Sequence, residues 1–109
     1  MKRSIVVIDD DELLLGFIEE ILNTAGYHVT AFNSPVKGLD FLKKDSVDLV
    51  ISDVKMNELT GDEVLAEVKK EYPNIIGVIA PRHMQRIREV EDLIREFKVE
   101  YTLFSKMME

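Results

Sequence analysis

The 109-residue sequence has no cysteine. A disulfide framework, a thiolate metal site and a cysteine nucleophile are therefore excluded. Proline and glycine are sparse, at 3 and 5 residues, and no Gly/Ser/Pro-rich linker, repeat or low-complexity tract marks a domain boundary. Positive charge is in the minority. Lys and Arg number 14 against 21 Asp and Glu, a net charge of −7, which excludes a duplex nucleic-acid surface on this chain alone. Apolar runs such as Ile5-Val6-Val7-Ile8 fall far short of the about 20 residues that a membrane-crossing helix needs. The start, Met1-Lys2-Arg3-Ser4, leads straight into that run without a signal-peptide core, so the expected location is cytoplasmic, with no membrane contact.

What is present is ordinary for a folded chain: 46% hydrophobic and 32% charged residues. The length suits a single domain over residues 1–109. The acid is unevenly placed. Residues 1–81 hold 15 acids and 8 bases, whereas residues 82–109 hold 6 of each. Much of the excess falls at Asp9-Asp10-Asp11-Glu12.

Short apolar strands alternate with helical stripes. Ile5–Ile8 reads as a strand buried on both faces. Leu13, Leu14, Phe17, Ile18, Ile21, Leu22 and Ala25 recur at helical spacing, with Asp11 as N-cap and Gly26 as the stop. His28–Phe32 reads as a strand near a sheet edge. Ser34-Pro35 starts a helix whose stripe is Val36, Leu39 and Leu42. Asp48–Asp53 is the next buried strand, and a helix from about Asp62 to Tyr72 ends at Pro73. Ile75–Ala80 is a fourth strand. A fourth helix is expected through Met84, Ile87, Val90, Leu93, Ile94 and Phe97, and a fifth strand over Val99–Phe104. Its other face, with Arg82, Arg86, Arg88 and Arg95 among acids, reads as a solvated surface. This order implies an α/β fold with a parallel sheet and helices on both sides.

In such sheets ligands bind beyond the carboxyl ends of the strands, where the strand order reverses. The strand ends carry Asp9-Asp10-Asp11, Asp53, Ala80-Pro81 and Ser105-Lys106. If the first and third strands are neighbours, Asp9, Asp10 and Asp53 converge. Their mutual repulsion is offset by a hard divalent cation, and Mg²⁺ prefers such oxygen ligands. Asp11 alone reads as a helix cap. His28 and His83 have no metal-site spacing and read as surface or sheet-edge residues.

The segments Ile5-Val6-Val7-Ile8-Asp9-Asp10-Asp11, Asp48–Met56 and Leu59-Thr60-Gly61 together resemble the response regulator receiver domain of two-component signalling, specifically over residues 4–80. The resemblance implies a flavodoxin-like doubly wound sheet of five parallel strands in the order 2-1-3-4-5. It implies that Asp53 is the phosphoacceptor for a sensor histidine kinase. It further implies that Asp10, Asp53 and the backbone carbonyl of Lys55 bind Mg²⁺, with Asp9 holding metal-bound water. A carboxylate nucleophile needs such a cation to neutralise the oxygens of the transferring phosphoryl group.

The pattern departs from the family in three places. A Ser or Thr normally ends the fourth strand as the switch hydroxyl, and here Ala80 or Pro81 stands there. Lys106, the candidate phosphoryl contact, is followed by Met107 rather than proline and lies slightly late. Residues 105–109 leave no room for a fifth helix. The expectation is therefore a receiver truncated relative to a longer regulator, or one that borrows cover from an effector domain, a partner helix or a second copy. Two further readings stay open. One is a degenerate receiver serving only as a protein-interaction module. The other is a haloacid dehalogenase-type phosphatase using Asp9 and Asp11. The leading reading is a signalling module rather than an enzyme, with at most slow autophosphatase activity.

Overall fold

Strand β1 (Ser4–Ile8) and helix α1 (Glu12–Thr24) open the chain in the computed structural model, which describes residues 3–53 and 56–80. They are followed by β2 (His28–Phe32), α2 (Pro35–Leu42), β3 (Leu49–Asp53), α3 (Gly61–Glu71) and β4 (Ile76–Ala80). All strand pairings are parallel, and the order is β2-β1-β3-β4. The expected fourth helix and fifth strand, with Lys55, Pro81, His83 and Lys106, lie outside the described residues.

Each helix begins at a residue whose side chain serves its open N–H groups. Asp11 accepts from the N–H groups of Leu13 and Leu14 at the start of α1. Ser34 caps α2, with Pro35 in the first turn, where its missing N–H costs nothing. Thr60 and Glu63 form a reciprocal capping box at α3. That box starts α3 at Gly61, one residue before the expected Asp62. Gly26 ends α1 with a φ of 99°, a conformation that a side chain would strain.

Both faces of the sheet are covered, which is why β1 and β3 lack an alternating polar pattern. On one face Ile5, Val7, Leu49 and Ile51 pack with Leu15, Ile18 and Leu22 of α1. On the other, Val6, Ile8 and Val50 pack with Leu42 of α2 and with Val64 and Val68 of α3. Full burial of each such side chain is worth roughly 1.5–3 kcal/mol. As expected, β2 lies at the edge, and His28 is exposed at its first position.

Two helical stripes differ from expectation. Leu13 is 89% exposed and Leu15 is buried in its stead, because Ile18 and Leu22 lie three and seven residues on from position 15. Ala25 is exposed at the C-cap. In α2, Val36 is 46% exposed, while Pro35 and Gly38 are buried. The helix comes so close to the sheet here that a Cβ on Gly38 would stand 2.6 Å from Ile8 Cδ1.

Candidate divalent-cation site at the strand switch point

From β1 the chain passes to β2 on one side and later to β3 on the other, so the order reverses between β1 and β3. That reversal opens a crevice beyond their carboxyl ends. Ile8 pairs with Ser52, so the next residues, Asp9 and Asp53, lie side by side at the carboxyl ends of β1 and β3. Asp9 is 2% exposed and Asp53 5% exposed, and Asp10 is half-buried. One carboxylate oxygen from each of the three lies within 4.8 Å of the others. The convergence expected of these acids is thus present.

The cluster is electrostatically uncomfortable. Burial pushes the Asp9 carboxyl up from an ordinary 3.8 to about 6. The Asp11 N–H, donating to Asp9 Oδ1 at 2.9 Å, pulls it down in part. The nearby charges of Asp53, Asp11 and Asp10 raise it further. The Asp9 N–H donates to the Phe32 carbonyl at 3.1 Å, which fixes the backbone at the tip of β1. Ser52 is fully buried beside the cluster, and its hydroxyl donates to the Asp53 carbonyl at 3.0 Å. Three all-oxygen donors, two of them almost wholly buried, make a set suited to a hard divalent cation.

Asp11 does not join the three. Its carboxylate is exposed and turned onto the N–H groups of α1. The converging trio is therefore Asp9, Asp10 and Asp53, and Asp11 of the Asp9–Asp11 pair serves as a helix cap. Ala80 lies directly across from Asp53 in the β3–β4 register.

Two side-chain bonds around the site had escaped sequence reasoning. Asn33 Nδ2 donates to Glu12 Oε1 at 3.0 Å, and Ser34 Oγ donates to Glu58 Oε1 at 2.6 Å. Ser34 was legible as a cap, but nothing in the linear pattern pairs it with Glu58.

The comparisons agree with this geometry. The chain matches the response regulator receiver domain over residues 5–97, beyond the 4–80 where its motifs are distinct. It is 37% identical over 79 residues to the transcriptional regulatory protein GlrR of Escherichia coli (strain K12), covering 72% of this chain and 18% of GlrR. The chain thus spans about a fifth of that relative's length. The crystal structure of a CheY-like response regulator receiver domain protein from Methanospirillum hungatei JF-1 superposes with a TM-score of 0.87 at 19% identity, over 98% of this chain and 99% of that one. The response regulator protein TrrA from Thermotoga maritima, in complex with Mg(2+)-BeF, superposes with a TM-score of 0.71 at 24% identity, over 75% and 71% of the two chains.

Proposed function

The chain belongs to the response regulator receiver domain family, and on that premise we propose that it is the phosphoacceptor module of a two-component phosphorelay, phosphorylated on Asp53 by a sensor histidine kinase. The observation that carries this reading is the meeting of Asp9, Asp10 and Asp53 at the switch point between β1 and β3. Buried like charges are costly unless something offsets them. The Mg(2+)-BeF complex of TrrA, a protein of the same fold, supports Mg²⁺ as the offsetting ion.

In this reading Asp10 and Asp53 would hold Mg²⁺ directly, together with the backbone carbonyl of Lys55, and Asp9 would hold its bound water. The bound cation supplies positive charge against the carboxylates and the phosphoryl oxygens. Asp53 is the nucleophile. One of its carboxylate oxygens bonds to phosphorus as the bond from phosphorus to the kinase imidazole nitrogen breaks, and that nitrogen keeps the electron pair. The product is an acyl phosphate on Asp53. Asp9, held by the Asp11 N–H, keeps its carboxylate beside that of Asp53. Lys106 is the proposed contact for the phosphoryl oxygens.

Position 80, beside Asp53 in the register, is an alanine rather than the family's Ser or Thr. We therefore propose that phosphorylation couples only weakly to an output surface. The output itself falls to an effector domain or a partner, as the 18% coverage of GlrR suggests. The module acts in the cytoplasm as a binding switch rather than an enzyme. Among the described residues, no helix is long and apolar enough to cross a membrane.

Incubation with acetyl phosphate and Mg²⁺, read by intact mass, tests the assignment. A phosphoryl adduct is expected on the unsubstituted chain and none on Asp53→Asn. Failure of the unsubstituted chain to gain the adduct, or its survival in the variant, overturns the reading.

A further inference from the structure

Three consecutive residues, the last of β2 and the two before α2, each make a bond to a segment next to the acid cluster. The Phe32 carbonyl accepts from the Asp9 N–H at 3.1 Å. Asn33 Nδ2 donates at 3.0 Å to Glu12, two residues past Asp10. Ser34 Oγ donates at 2.6 Å to Glu58, in the loop leading from Asp53 to α3. Strands β2 and β3 are not neighbours in the sheet, so the Ser34–Glu58 bond joins two strand ends that no ladder connects.

Helix capping does not account for this arrangement. The Ser34 hydroxyl oxygen accepts from the Lys37 N–H at 3.4 Å as the α2 cap. That role uses a lone pair and leaves the O–H proton, which goes to Glu58. The Asn33–Glu12 bond caps nothing. Both bonds also hold a carboxylate of a neighbouring segment with a neutral donor.

We infer that Asn33 and Ser34 are positioning residues for the acid site. By tethering Glu12 and Glu58, they set the spacing of the loops that bring Asp9 and Asp10 to Asp53. The inference rests on the cation reading of the cluster. Mg²⁺ demands near-ideal octahedral geometry, so a slight spreading of the loops lowers affinity even where each tether is weak.

The test separates tether from charge. Glu58→Gln keeps an oxygen for Ser34 but removes the charge, and Glu58→Ala removes both. Asn33→Ala cuts the other tether and leaves the Ser34 cap intact. In calorimetric Mg²⁺ titrations, Glu58→Ala and Asn33→Ala are each expected to weaken binding about two- to fivefold, as one net hydrogen bond allows, and Glu58→Gln is expected to retain most of the affinity. An equal loss in Glu58→Gln and Glu58→Ala, or no loss in Glu58→Ala and Asn33→Ala, overturns the inference. Amide hydrogen exchange on the metal-free protein gives an independent readout. Glu63, whose N–H donates to Thr60 at the end of the same loop, should exchange faster in Glu58→Ala but not in Glu58→Gln, and Leu13, whose N–H donates to Asp11, faster in Asn33→Ala. Unchanged exchange overturns the tethers on its own. Absence of Mg²⁺ binding by the unsubstituted chain refutes the cation reading instead, and the exchange comparison still decides the tethers.

Discussion

At the amino ends of the central strands, Asp48 is bound on every side. Its carboxylate accepts from the Ser4 N–H at 2.8 Å, its N–H donates to the Ser4 carbonyl, and its carbonyl accepts from Ile76. One half-buried acid thus ties β1, β3 and β4 together where each begins. At the carboxyl ends of β1 and β3, three acids crowd within 4.8 Å, and one of them is pushed up to about 6. The first arrangement spends a carboxylate on the fold. The second holds the Asp9 carboxyl in surroundings that disfavour its charge, and a perturbed acid in a crevice is where function is to be sought.

The contrast can be broken most sharply at Asp53. Asp53→Asn is expected to abolish the acetyl phosphate adduct altogether, whereas Asp48→Asn leaves the adduct in place by intact mass. Next in size is the response to Mg²⁺. A cation that binds only the folded state adds about 2.7 kcal/mol at 100 times its Kd, visible as a raised Tm. An unchanged Tm would favour a receiver that serves only as an interaction module.

The third effect concerns pH. The folded-state pKa of Asp9 lies above its value of 3.8 in the free side chain. Between about pH 4 and 6 the folded protein therefore holds a proton that the unfolded chain has released. This group's contribution to stability is full below about pH 4 and is lost as pH rises through about 6. Asp9→Asn should stabilise the metal-free protein at pH 7 by on the order of 2 kcal/mol and flatten urea-derived stability between pH 4 and 7. The smallest effect belongs to the amino end. Asp48→Ala should cost about 1 kcal/mol by urea unfolding, the worth of one part-buried hydrogen bond, with Mg²⁺ affinity unchanged.

The acid site was legible because its signal is local. A β-branched run that ends in carboxylates, Ile5–Asp10 and again Leu49–Asp53, marks a buried strand whose tip carries converging acids. The four described strands and three helices follow from the same alternation. Three details were not legible, each for a physical reason. Leu13, Leu14 and Leu15 are consecutive, so composition cannot say which faces the sheet, and the spacing to Ile18 and Leu22 decides it. Val36 suited an apolar stripe better than Gly38 did, yet close approach to Ile8 selects the residue without a Cβ. The Ser34–Glu58 bond spans 24 positions, and its two partners carry no mark of one another. The Thr60–Glu63 box was written in the sequence and places the start of α3 at Gly61.

The gap at Gly38 matters beyond packing. Ile8, whose side chain fills it, is the last residue before Asp9 on the same strand. A methyl group added at position 38 would force the tip of Ile8 to turn away or the second helix to lift, one residue short of the first acid. One missing carbon thereby lets helix and strand close up directly beneath the mouth of the crevice.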